Sequence, residues 1–151
     1  MKDIYFPWTK TDTKPLVLKD FFEYLHNTFT TPRKIPISAD LFGMVTTAYD
    51  DMGIGQVLEN ALPYFDYVAP MVYPLYYSPA FQGYKNPAQY PYEIIHYAIG
   101  EEVAPAKMTL SNPRKLRPRL QYFDLGTDYG SVEVRKQIQA TYDVGLNSWM
   151  L

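Results

Sequence analysis

The sequence contains no cysteine. Disulfides, zinc–thiolate sites and cysteine nucleophiles are therefore excluded. No run approaches the ~18 apolar residues that a membrane-spanning helix needs. Histidine is scarce: His26 and His96 are the only 2. Each falls within a stretch that reads as helix, where a lone histidine packs or faces solvent. No metal site and no cofactor are expected. Positive charge is not in excess, with a formal net charge of −2, and no basic stripe points to a nucleic-acid partner. The one basic cluster, Arg114, Lys115, Arg117 and Arg119, reads as a solvated loop. The opening residues, Met1 to Ile4, show no signal-peptide pattern. An exported protein would need a signal outside this sequence, and the compartment stays open.

What remains is rich in aromatics and proline. The 151 residues are 47% apolar, enough for one domain, 1–151, with a real core. They include 15 Tyr, 8 Phe, 2 Trp and 13 Pro. Many aromatics fall in loop-like stretches: Tyr73, Tyr76, Tyr77, Phe81, Tyr84, Tyr90 and Tyr92. Tyrosine joins a flat apolar face to a hydroxyl, which suits the C–H faces and hydroxyls of sugar rings. Packing beneath a long loop is the plainer use for any one of them.

Taken in order, Lys2 to Pro7 reads as a strand. A helix follows, with Leu18, Phe21, Phe22, Leu25 and Phe29 on one stripe. Pro15 fits its first turn and Pro32 lies beyond its end. Ile37 to Phe42 alternates with period two and reads as a short strand closed by Gly43. Thr46 to Gly53 is loop. Ile54, Val57, Leu58, Ala61 and Leu62 give a second helix stopped near Pro63. Tyr67 to Tyr73 is apolar on both faces, as a buried parallel strand is, although Pro70 lies inside it. Pro74 to Pro91 is a long loop. A third helix runs from Tyr92 to Val103, and Arg117 to Phe123 is a strand. Ser131 caps a fourth helix with Glu133 in its first turn. Val134, Ile138, Thr141 and Tyr142 form its inner face, and Gly145 ends it. Leu146 to Leu151 is a last strand.

The order β-α-β-α-β-α-β-α-β implies a parallel sheet with right-handed crossovers. Either an open doubly wound sheet or part of a (β/α)8 barrel would satisfy it. No glycine-rich phosphate loop follows the first strand, which weakens a nucleotide-binding open sheet. Five strands match only a portion of a barrel, which needs ~250 residues. Two exposed sheet edges would then invite self-association. Within this frame Asp40 stands near the C-terminal end of its strand, where α/β proteins place ligand-binding groups. The alternative is an Asp that caps the turn after it.

Several runs resemble a family of bacterial proteins, putative glycoside hydrolases with a TIM-barrel domain. They are Ile37 to Gly43 (ISADLFG), Asp51 to Gln56 (DMGIGQ), Asp66 to Pro74 (DYVAPMVYP), Gly83 to Pro87 (GYKNP), Pro91 to Glu93 (PYE) and Val134 to Gln139 (VRKQIQ). The resemblance implies the C-terminal portion of the barrel, about strands four to eight. It also implies a polysaccharide or glycan substrate and a cell-envelope or secreted setting. Two departures stand out. Aligned on Phe6 and Pro7, Lys2 and Tyr5 occupy positions where the family has Asp and Arg, and Asp3 could replace that acid only after a one-residue shift. Tyr122 stands where the family's strand-seven motif has Asp.

Most glycosidases use two carboxylates, ~5–5.5 Å or ~6.5–9.5 Å apart. Asp40 is the first candidate and Asp3 the second, followed by Asp51 or Asp124. If Ile37, Ala39 and Leu41 face the helices, Asp40 faces the interior. Tyr73, Gln121 and Trp149, at strand ends, are then expected to contact sugar, with Gln56 as a further choice. The alternative is a non-catalytic carbohydrate-binding or cell-envelope structural domain, favoured by the two missing acids.

Overall fold

The computed structural model describes residues 11–100 and 112–151. The expected strand Lys2 to Pro7, and Asp3 with it, lies outside the described residues, as does Val103.

Helix α1 spans Lys14–Leu25, with Pro15 in its first turn. Its apolar stripe turns Phe22 into the core, 7% exposed, with Leu18 and Leu25 packed beside it. Phe21, expected on that stripe, is half exposed. The helix does not stop before Pro32. It widens into a π turn, His26–Thr30, and ends in one more α turn, Thr31–Arg33. Pro32 has no N–H to satisfy, so it is tolerated at the start of that last turn. Lys34 closes it in the left-handed region, φ 53°.

Strand β1 (Ser38–Phe42) pairs in parallel with β2 (Tyr67–Met71). Gly43 follows β1 at a point of close approach. A Cβ there would lie 2.1 Å from the Met71 carbonyl oxygen, so no larger residue fits without moving β2. Between the strands, the expected second helix is only one turn, α2 (Leu58–Ala61). Gly53 and Gly55 adopt positive φ upstream, which breaks the helical path at Ile54.

Beyond β2 the sheet continues as bridges, in chain order and all parallel. Leu116 and Arg119 bridge Val68 and Met71, and Met150 bridges Arg119. Full strands were expected over Arg117 to Phe123 and Leu146 to Leu151, and proline explains part of the difference. In a parallel ladder the Arg117 N–H bonds the Val68 carbonyl, as it does at 2.9 Å. The Arg117 carbonyl would then take the N–H of residue 70, which is proline and has none.

Helices α3 (Pro91–Ile99) and α4 (Ser131–Asp143) cover one face of the sheet. Ile94, Ile95, Leu116 and Leu120 are all within 1% of full burial, each contributing about 1.5–3 kcal/mol. The Tyr92 hydroxyl ties α3 to α4 through Asp143, at 2.9 Å. The inner face of α4 holds the expected Thr141, buried, and Ile138, packed on the core, but also Gln137 and Ala140, both buried, in place of Tyr142, which is half exposed.

Both ends of α4 follow known capping geometry. Gly130, not Ser131, is the N-cap residue, and its N–H donates to Glu133 Oε2 at 3.0 Å. That bond holds the Glu133 carboxyl below the usual carboxylate range. At the other end Gly145, φ 85°, donates to the Tyr142 carbonyl while Leu146 donates to that of Thr141. This is the paired pattern of a left-handed C-terminal cap. Two predictions follow from these ends. Gly145→Ala, in open space, should cost about 1 kcal/mol through backbone strain alone, measured by urea denaturation. Glu133 has a lowered folded pKa, so its contribution is present above the ordinary carboxylate value and fades as pH falls through the lower folded one. Glu133→Gln should therefore flatten the acid limb of the stability–pH curve and leave its alkaline side unchanged in shape.

Candidate functional site

Register decides which side chains share a face. Asp40 stands opposite Ala69, and Phe42 opposite Met71. Met71 in turn bridges Arg119, which bridges Met150. Paired residues point the same way, so Asp40, Phe42, Ala69, Met71, Arg119 and Met150 lie on the face away from the helices. Leu41, Val68, Leu116 and Leu120 fill the other face and are buried.

On this open face an Arg119 Nη1 donates to Asp40 Oδ2. Asp40 Oδ1 accepts no hydrogen bond among the described residues. The two side chains are 39% (Asp40) and 33% (Arg119) exposed. At such exposure an ion pair contributes at most about 1 kcal/mol to stability. It is too weak to hold the fold, and its effect is on where the carboxylate points. Arg119 belongs to the cluster read as a solvated loop, and that reading is corrected here. Arg117 lies 3.2 Å over the Tyr67 ring, and Lys115 donates to the Leu62 carbonyl at 2.8 Å. The alternation of Leu116, Pro118 and Leu120 with Arg117, Arg119 and Gln121 is the strand periodicity on which Arg117 to Phe123 was expected to be a strand, and it outweighs the loop reading of the charges.

A row of aromatic rings runs along the strand ends beside this pair. Phe42 stacks with Tyr76 at 6.2 Å, Tyr76 meets Tyr73 at 5.4 Å, and Tyr73 meets Phe123 edge-on at 5.2 Å. Tyr122 completes the row against Phe123 at 5.7 Å. Tyr76 and Tyr122 are the more open rings of the row, 46% and 59% exposed. Burial raises the pKa of the Tyr73 phenol; Arg119 opposes the shift and Asp40 adds to it. Tyr73 thus keeps its proton in the neutral range and can donate or accept.

Most of the remaining loop aromatics pack on one another. Tyr77 is 3% exposed and packs on Phe81, which meets Tyr97 of α3. Tyr84 pairs with Tyr90. The long loop is thus split: Tyr73 and Tyr76 at its start join the open face, Tyr77 enters the core with Phe81 and Tyr84 packed against it, and Tyr90 stays exposed.

Other expected site residues fall elsewhere. Gln121 was expected to touch sugar but is fully buried. Its Nε2 donates to the Phe123 carbonyl at 3.0 Å and its Oε1 accepts from the Leu75 N–H at 3.4 Å. It therefore ties together the segments that carry Tyr73, Tyr76 and Phe123. Trp149 sits on the helix side, where its Nε1 donates to the Tyr142 hydroxyl at 3.1 Å. Gln56 Oε1 accepts from the Phe42 N–H at 2.7 Å and so covers part of the outer edge of β1. Asp51 is bound to the N–H groups of Gly53 and Gly55, and Asp124 to that of Tyr129 at 2.7 Å. Both carboxylates are committed to their own turns. Among the described residues no group of three or more His, Asp or Glu is arranged to hold a metal.

The Asp40 carboxylate, the phenols and the aromatic faces suit a pyranose ring. On the paired strands, Asp40 is the one acid of the open face among the described residues. Against known proteins, the chain matches over residues 1–151 a family described as a putative glycosyl hydrolase domain. The chain belongs to that family. It is also similar in fold to the glycoside hydrolase domain of PgaB (BpsB) from Bordetella bronchiseptica, with a TM-score of 0.60 and 19% identity. The likeness covers 91% of this chain and 36% of that one, so the chain spans about a third of that structure. No curated protein matches it.

The buried Gln121–Gln137 pair underlies this site. The Gln121 N–H donates to Gln137 Oε1 at 2.9 Å, and Gln137 Nε2 donates to the Gln121 carbonyl at 2.7 Å. Gln137→Leu would leave both backbone groups buried without partners, each costing about 1–3 kcal/mol. A loss of about 3 kcal/mol in urea denaturation is expected, and loss within 0.5 kcal/mol would contradict it.

Proposed function

We propose that this chain is one portion, 1–151, of a (β/α)8 barrel and that the barrel is a glycoside hydrolase acting on a bacterial polysaccharide or glycan. Family membership and the fold likeness support the reaction class. The barrel reading is supported by strands joined in parallel and in chain order, since an open doubly wound sheet reverses its order at a switch point. The observation that carries the proposal is Asp40 on the open face, paired with Arg119 and flanked by the aromatic row.

Asp40 is the carboxylate that acts at the sugar, as nucleophile or as base. Tyr73 and Tyr76 receive the ring's apolar face. The acid that assists the leaving group comes from outside the paired strands, with Asp3 the candidate within this sequence. Carboxylate chemistry of this kind requires no cofactor. Among the described residues no helix is long and apolar enough to cross a membrane. The outer edge of β1, covered at Phe42 by Gln56, pairs with a barrel strand in the longer protein or, failing that, with a second copy.

A second reading is a carbohydrate-binding domain without hydrolysis. It is favoured by one observation: Asp40 is unaccompanied by another acid on the paired strands. One experiment separates the two. The full-length natural protein is incubated with a panel of bacterial polysaccharides, and new reducing ends are measured. Hydrolysis should appear and fall by at least about 100-fold in Asp40→Asn. Polysaccharide binding that persists in Asp40→Asn, with no reducing ends from either protein, establishes the binding reading instead.

A further inference from the structure

We propose that Arg119 is a positioning residue that fixes the Asp40 carboxylate in one orientation, leaving Oδ1 as the oxygen offered to the substrate. This rests on the reading that Asp40 acts at the sugar, and it adds the group that aims it.

The geometry is set by three strands. Asp40 and Arg119 are not on neighbouring strands, because β2 runs between them. Two strand spacings of about 4.8 Å separate their backbones. Only a long side chain crosses that gap, and Arg119 does so to reach Asp40 Oδ2. The residue opposite Asp40 on β2 is Ala69. It lies on the open face yet is 0% exposed. A methyl group on an open face is buried only if neighbours close over it; the Arg119–Asp40 bridge crosses β2 on the diagonal from the level of Met71 to that of Ala69, and Arg117 flanks Ala69 in register. A small residue below and a long cation across are complementary: a larger side chain at 69 would occupy the path.

The bridge uses one carboxylate oxygen. Arg119 takes Oδ2, and Oδ1 has no hydrogen-bond partner among the described residues. A carboxylate that is held by one oxygen and open at the other has a defined direction of attack. Without the bridge, Asp40, 39% exposed on its side chain, would be free to sample several staggered rotamers. Phe42, two residues along the same face of β1, stacks on Tyr76 and so brings the aromatic row beside Asp40.

The test is Arg119→Met in the full chain, read by the NMR couplings between Hα and Hβ of Asp40. The wild type should show one rotamer, and the variant should show averaged couplings with an unchanged backbone spectrum elsewhere. Averaged couplings in the wild type, or a single rotamer retained in the variant, overturn the proposal. On any polysaccharide that the wild type cleaves, Arg119→Met should lower kcat by about 100-fold with KM within twofold. A rise in KM at constant kcat would make Arg119 a binding residue and would also overturn it. The two proposals fail separately. Full hydrolysis by Asp40→Asn removes the catalytic reading of Asp40 and leaves the coupling result untouched. Averaged wild-type couplings remove the positioning role and leave the Asp40→Asn result untouched.

Discussion

The parallel register between β1 and β2 is the constraint on which the rest depends. One hydrogen-bonding pattern places Asp40 opposite Ala69 and Phe42 opposite Met71. A slip of one residue would turn Asp40 into the helix-covered core and bring Leu41 out to the open face. Burial of Leu41, Val68 and Val72 is what forbids the slip, because each apolar side chain turned out to water forfeits roughly 1.5–3 kcal/mol. Gly43 reinforces it. The chain leaves β1 so close to the Met71 carbonyl that a side chain would not fit. The same packing energy that holds the core therefore aims the polar face.

Polar groups support the site from below in a second way. Gln121 and Gln137 exchange hydrogen bonds across the sheet–helix interface, with both side chains fully buried. Gln121 also gathers backbone from both strand-end segments. Buried amides are tolerated only when their bonds are made, so this pair leaves the two segments little freedom to move. The aromatic row is built on those segments. Its edge-on contacts, such as Tyr73 against Phe123, orient the rings further.

Much of this was legible in the sequence, and the exceptions share a cause. The periodicity of Ile37 to Phe42 located β1 and turned Asp40 away from the helices. Gly145 marked the end of α4, since a positive φ there asks for glycine. What sequence patterning missed were polar residues facing inward and the part played by charged residues in a stretch it had read as strand. An apolar stripe put Val134 and Tyr142 on the inner face of α4, whereas Gln137 is there, drawn in by the backbone of Gln121. Arg117 and Arg119 resembled a solvated loop because charge is the usual mark of one. In a parallel strand with an open face, alternate positions are free to be charged. Trp149 shows the converse: an aromatic at a strand end faced the helices, where Tyr142 accepts its N–H.

The distribution of acids bears on how such a site could work. Two-carboxylate hydrolysis needs both groups within about 10 Å, and neither of the other nearby candidates is available for it. Asp51 and Asp124 each accept backbone N–H bonds that shape their own turns, so recruiting either would unmake the turn that holds it. Asp40 differs because its partner is a side chain on another strand, and one of its oxygens carries no such obligation. A carboxylate bound to backbone is a structural element; a carboxylate held through one oxygen by a side chain from another strand keeps its other oxygen for a ligand. The distinction separates Asp40 from the other acids on physical grounds. Among the described residues the paired strands carry no second acid on this face, which leaves Asp40 as the single carboxylate set between the aromatic row and Arg119.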